Sequence, residues 1–274
     1  MRKPIRYVTL VLISPSNPIR QNVSATIRTW GRHLSNWTNK KSFTRTISPC
    51  PLPFLTVEHS TPIYRNLNGV DQRLFENKKT NLKLAITNLQ NIIINPGEVF
   101  SFWNLVDSPS QDRGYKEGLV ISAGKPKEGI GGGLCQLSNA IFWLILHSDL
   151  SVIERHRHSF DLFPDDSRLI PFGTGATVVY NFKDLRFQNN TDAVFQLSFS
   201  LSETDLNAKL LSSEKLPHEV RIIERQHQFH QTEQGLFRSN AVFKQILDRG
   251  NPIREILLFQ NHCKCRYSFA EVKV

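Results

Sequence analysis

The chain has 274 residues, 39% of them hydrophobic, enough to bury a sizeable core in one large domain or in a core with smaller appendages. Its net charge of +10 is uneven, because nine lysines and arginines precede the first acid, Glu58, and the remainder is close to balance. Four cysteines are too few for a disulfide scaffold, no apolar run approaches the roughly 20 residues a membrane-spanning helix needs, and no RNA- or DNA-binding module follows the basic arm, so nucleic acid is not expected as a partner.

Residues 1–69 read as a basic, tryptophan-containing lead-in. Its apolar run Tyr7–Ile13 mimics a signal peptide but is short, and Ser14-Pro15-Ser16-Asn17-Pro18 breaks it without a small-residue cleavage site. By sequence the chain reads as cytoplasmic. The cationic arm suits an anionic surface such as a membrane or wall polymer, or is simply solvated. Trp30 and Trp37 suggest docking, a helix is expected over 23–34, and the folded core is expected to begin near Asp71.

Asn77-Lys78-Lys79-Thr80-Asn81 offers caps for a helix over 82–91, in which Leu82, Ala85, Ile86 and Leu89 recur at helical spacing. A β-branched run, Ile92–Ile94, precedes the turn Asn95-Pro96-Gly97-Glu98 and the strand entry Val99–Phe102. Leu119–Ser122 is a strand and Ala123–Pro126 a turn. Then comes Gly129-Ile130-Gly131-Gly132-Gly133-Leu134-Cys135-Gln136, running into an apolar helix over 137–146 of the kind buried in a domain. Residues 151–160 read as extended, which puts Glu154, His156 and His158 on one face. Strands are expected at 176–180, 185–188 and 194–201, the last with clear alternation. Residues 213–274 read as a β-rich extension with strands near 220–223, 241–247 and 255–259. The expected fold is α+β, a largely antiparallel sheet packed on a buried central helix that starts at the glycine-rich cysteine loop.

A buried cysteine is ordinarily a small hydrophobe. Cys135, however, follows three glycines and opens a helix, where dipole and unpaired N–H groups favour a thiolate and can hold an oxyanion. Gly131, Gly132, Gly133 and Gln136 would form that turn. A thiol nucleophile needs an imidazole, and His156 or His158 is nearest in sequence, with Glu154, Asp161 or Asp184 to orient the ring. The alternative for His-x-His is a pair of surface strand histidines. Cys135, His156 and His158 are also legitimate zinc ligands, but the usual local spacing is absent and neither metal nor cofactor is expected. His262-Cys263-Lys264-Cys265 is a weak metal or redox motif, and the glycine loop lacks the Gly-Lys-Ser/Thr ending of a phosphate loop.

Five motifs in order resemble those of the VanW family: Asn95–Phe102, Gly114-Tyr115-Lys116-Glu117-Gly118, Gly129–Gln136, Glu154–Ser159 and Asp184–Asn189. The resemblance covers about residues 70–212. It implies a bacterial cell-wall context linked to vancomycin resistance and, as in some VanW domains, L,D-transpeptidase activity on peptidoglycan stem peptides through a cysteine acyl-enzyme. Cys135 would then be the nucleophile and His156 or His158 its partner, in the cell envelope if the protein acts on the wall. A non-catalytic peptide- or glycan-binding accessory protein is the competing class. The family often has an acid where this chain has Gly175.

Overall fold

The computed structural model describes residues 42–64, 71–122, 125–158, 160–161 and 170–269, together with Gly31. The expected helix over 23–34, Trp30 and Trp37 therefore lie outside the described residues, Gly31 excepted, as does the loop at 164–167. In chain order come β1 (Phe54–Pro62), α1 (Gln72–Leu89), β2 (Ile92–Ile94), β3 (Val99–Ser101), α2 (Phe102–Val106), β4 (Glu117–Ser122), β5 (Lys125–Ile130), α3 (Leu134–Leu146) and β6 (Ser151–Glu154). There follow β7 (Phe160–Asp161), β8 (Arg186–Gln188), β9 (Phe195–Leu201), β10 (Asp205–Ser212), β11 (Glu219–Thr232), β12 (Gly235–Asp248) and β13 (Asn251–Cys265). The class is α+β, with strands outweighing helices and pairing almost wholly antiparallel.

One sheet has the order β1-β10-β9-β2 and a second the order β3-β8-β6. On β9 the alternation read from sequence places Phe195, Leu197 and Phe199 in the core, and Phe100 stacks on Phe187 at 4.5 Å. Helix α3 buries Leu137, Ile141, Leu144 and Ile145 against the same cluster, each such side chain stabilising the fold by about 1.5–3 kcal/mol.

Helix α1 starts ten residues before its expected position. Asp71, not the 77–81 run, is the cap, its side chain accepting from the Arg73 amide at 2.8 Å. Asn81, expected to cap, is instead fully buried within the helix. Its amide donates to the carbonyls of Lys116 and Gly132 at 2.9 and 3.0 Å and accepts from the Lys116 N–H at 2.8 Å. The lead-in is also more than an arm, since Phe43 and Thr44 are buried and β1 pairs with β10 from Phe54↔Ser212 to Pro62↔Asp205. Its exposed edge position hides it from hydrophobic patterning.

The expected strand at 176–180 is absent. Its polar backbone is satisfied locally instead: Ser138 Oγ donates to the Ala176 carbonyl at 2.7 Å, Asn139 Oδ1 accepts from the Ala176 N–H at 2.7 Å, and the Thr177 N–H donates to the His156 carbonyl at 2.7 Å. Of the turn expected at 123–126, residues 123–124 lie outside the described residues, and Lys125 and Pro126 belong to β5, which pairs with β4.

The C-terminal strands β11, β12 and β13 form one long meander, with β7 parallel to β13 at its edge. Ile222 and Val242 join it to the main core. Arg155 is a second joint, its guanidinium lying 4.7 Å from the Phe142 ring and 4.5 Å from the Phe259 ring while donating to the carbonyls of Gly175 and Gly173. Within the meander's own sheet, Arg238, almost fully buried, pairs to Asp161 of β7 at 3.1 Å.

Candidate functional site around Cys135

The approach to α3 is built from glycines for two different reasons. Gly131 and Gly133 adopt positive φ, 76° and 100°, and Gly133 is the left-handed cap of the helix. Gly132 does not, but a Cβ there would lie 2.1 Å from the carbonyl carbon of Gly118, so two backbones meet with no room for a side chain.

Cys135 is the second residue of α3. Its Sγ donates to the Val178 carbonyl at 3.6 Å, and this is the thiol's hydrogen-bond partner among the described residues. Burial pushes the thiol above its ordinary value, opposed only in part by the Val178 contact and the Lys183 charge. At rest it is a protonated thiol. The surrounding N–H groups are partly spent, because those of Gly132, Leu134 and Gln136 donate to the carbonyls of Gly129, Gly131 and Gly133 at 3.1, 3.4 and 2.9 Å. The Gly133 and Cys135 N–H groups have no such carbonyl partner among the described bonds. Gln136 reaches away, its Nε2 donating to the Pro62 carbonyl at 2.8 Å and tying α3 to β1, while its buried Oε1 has no partner among the described residues.

The two histidines occupy different settings. His156 Nε2 meets Glu154 Oε1 at 2.9 Å, and the same oxygen accepts from the Asp184 N–H at 3.0 Å. Arg186 Nε lies 3.6 Å from Glu154 and 2.7 Å from Asp184, whose fully buried carboxylate also accepts from Ser101 Oγ at 2.6 Å and the Trp103 N–H at 3.1 Å. Glu154 thus holds His156, and Asp184 stands one step behind it. Asp161 belongs to another cluster, accepting from Arg238 and, at 2.7 Å, from the Tyr267 hydroxyl.

His158 lies beside α3. A Cβ on Gly175 would sit 3.2 Å from His158 Nε2 and 3.0 Å from Asn139 Oδ1, so Gly175 leaves these two side chains close to one another. Asn139 follows Cys135 by four residues and shares its helix face. Neither imidazole hydrogen-bonds the thiol among the described contacts, and the described residues contain no cluster of three or more His, Cys, Asp or Glu side chains that would assemble Cys135, His156 and His158 as zinc ligands. Cys263 is pushed up to about 12 by burial and the Asp161 charge. Sequence reasoning missed Asn139, Val178 and Lys183. Asn139 alone left a signal, a polar residue at i+4 in an apolar helix.

Fold and site together define an α+β protein with a cysteine in the first turn of a buried helix and a histidine-bearing segment beside that helix. The family model described as VanW like protein matches residues 77–211. The chain is 33% identical over 231 residues, 84% of each chain, to the Vancomycin B-type resistance protein VanW of Enterococcus faecalis. It is 32% identical over 114 residues, 42% of this chain and 36% of the relative, to the uncharacterized protein YoaR of Bacillus subtilis. No solved structure matches. The chain belongs to the VanW family.

Proposed function

We propose that this protein transfers acyl groups on peptidoglycan stem peptides through Cys135, in bacterial cell-wall metabolism or glycopeptide resistance; its Enterococcus relative is named a vancomycin B-type resistance protein. The observation supporting this most directly is the setting of Cys135, behind a left-handed glycine cap at a helix N-terminus, with the Gly133 and Cys135 N–H groups left by the turn's own carbonyl bonds. In the reaction an imidazole takes the thiol proton and sulfur adds to the carbonyl carbon of the donor stem. The carbonyl electrons move to oxygen, where the two N–H groups hold them. Collapse expels the terminal D-amino acid, whose amine takes the proton from the imidazole, and leaves a thioester. The amine of a second stem, or water, attacks the thioester and returns the thiol. His158 is the favoured imidazole because it lies beside the helix face that Cys135 opens, and His156, oriented by Glu154, is the alternative.

A second reading, a non-catalytic peptide- or glycan-binding accessory protein, is favoured by the protonated thiol resting on Val178. Incubation with a stem peptide followed by intact-mass measurement separates the two. Acyl transfer gives a Cys135 adduct that Cys135→Ser cannot form and a variant without turnover on wall fragments. Full turnover by Cys135→Ser would sink the enzyme reading. Because the substrate lies in the wall or its precursors, cell fractionation should find the protein where it meets them.

A further inference from the structure

The C-terminal meander carries a feature that Cys135 chemistry does not use. Arg225 pairs with Ala241 and Gln228 with Ser239, so Gln226 and His227 stand opposite the single residue Asn240, and Gln226 takes a positive φ of 56°. This β-bulge opens a groove of about 440 Å³. The buried pair Asn240 and Asn261, joined at 2.7 Å, backs it from the other face of the sheet, and its open face is the cross-strand row Gln228, Ser239 and His262, with the His262 ring stacked on Phe237 at 5.2 Å and 10°. Gln260 and Arg157 complete it, Arg157 Nη1 donating to the Gln260 carbonyl at 3.5 Å.

We propose that this groove binds a neutral glycan chain. No lining side chain is a carboxylate, and the one nearby, Glu224, is taken by Asn240. The amides of Gln226, Gln228 and Gln260 both donate and accept, which is what vicinal hydroxyls and acetamido groups ask of a site, while those of Asn240 and Asn261 are spent on Phe172, Glu224 and one another. An added peptide strand would pair along the outer edge of β11 and not across the row Gln228, Ser239 and His262, because β12 is already paired on both sides. The groove also touches the Cys135 region through one segment. The Phe172 carbonyl accepts from Asn240 at 2.8 Å and from Asn261 at 3.1 Å, and the chain continues through Gly175 to Val178, whose carbonyl accepts from Cys135 on α3, while Arg157 sits between the two candidate histidines. A glycan held there would leave its attached stem near Cys135; that consequence rests on the acyl-transfer reading, and the groove itself does not.

The test titrates the full chain with a β-1,4-linked N-acetylglucosamine tetramer by calorimetry or NMR. Saturable binding is expected, weakened at least tenfold in Gln228→Ala and in His262→Ala, both at exposed positions, and unchanged in Cys135→Ser. Absence of saturable binding at millimolar tetramer, or equal binding in both groove variants, overturns the proposal, as does groove binding of a sugar-free stem peptide without the tetramer. Groove variants that lose the tetramer while Cys135→Ser retains full wall turnover would uphold the groove and sink acyl transfer.

Discussion

Alanine at Gly132 should be the most damaging glycine substitution of the turn, although Gly132 is the one of the three without positive φ. Its Cβ would sit 2.1 Å from the Gly118 carbonyl carbon and 2.4 Å from its oxygen, where ordinary contacts run about 3.5–4 Å. Both obstacles are backbone, so relief requires β4 to move away, and β4 begins next to Lys116, which Asn81 binds twice while also donating to Gly132. Overpacking of this kind costs about 1–3 kcal/mol, and loosening three partly buried hydrogen bonds adds roughly 1 kcal/mol each at most, so a loss on the order of 3–5 kcal/mol is expected. Gly133→Ala meets a positive φ and Lys78 Cγ at 2.4 Å, close to the α1 backbone and tethered through Nζ to the Ile63 carbonyl, so it should fall between, and Gly97→Ala meets a positive φ of 82° with nothing within 4 Å. The Gly97 variant should lose only about 1–2 kcal/mol. Urea unfolding of the three variants measures this ranking, and at about 2–4 °C per kcal/mol the Gly132 variant should melt at least roughly 6 °C lower than wild type. A Gly132 variant as mild as the Gly97 variant would refute the close-approach argument.

Iodoacetamide at neutral pH should modify exposed Cys50 well before Cys135, whose rate should climb only above the ordinary thiol range of about 8.5; peptide mapping across pH reads both sites. Arg238→Met should destabilise the protein by about 3–5 kcal/mol because it removes the cation paired with the buried Asp161 carboxylate, and adding Asp161→Leu should recover part of that loss in denaturant unfolding. His59 and His147 are both lowered from 6.5, chiefly by burial. The unfolded chain therefore takes up protons at these sites first as pH falls. Their contribution to stability is full above about 6.5 and is lost as pH drops through their lowered range, so melting temperature should decline there and His59→Gln with His147→Gln should flatten the decline.

Where a residue's role is local and repeated, the sequence discloses it. The face Leu82, Ala85 and Leu89, the alternation along β9 and the glycine run ahead of an apolar helix all repeat one instruction several times, and each stands in the structure. What stayed hidden depends on a single side chain or a distant partner. The Asp71 cap is one carboxylate on one amide, and β1 becomes a strand only because β10, some 150 residues later, pairs with it. Residues 176–180 carry β-forming side chains, but Ser138 and Asn139 on α3 take up the Ala176 backbone that a ladder would otherwise pair. Spacing alone likewise could not separate His156 from His158. The two residues share a face in an ideal strand, yet β6 ends at Glu154 and the irregular chain beyond sends one ring to Glu154 and the other to Asn139 and Gly175.

That same segment decides what the cysteine can do. The resting thiol is protonated because the interior disfavours its charge and the Val178 carbonyl accepts its proton, so a histidine can reach sulfur only if that bond is exchanged. Val178 is buried in the main core, and its neighbour Val179 bridges Lys183 through two backbone bonds at 2.9 Å. Upstream, Ala176 hangs on two α3 side chains, Gly173 and Gly175 hang on Arg155, and Phe172 hangs on the two asparagines of the C-terminal groove. The segment leading to Val178 is thus anchored by side chains rather than by a strand ladder, and such anchors can be released one at a time. In the acyl-transfer reading, substrate entering beside α3 displaces the Val178 carbonyl from sulfur and lets the imidazole of His158 replace it, which turns an ordinary buried thiol into a nucleophile only when there is something to attack.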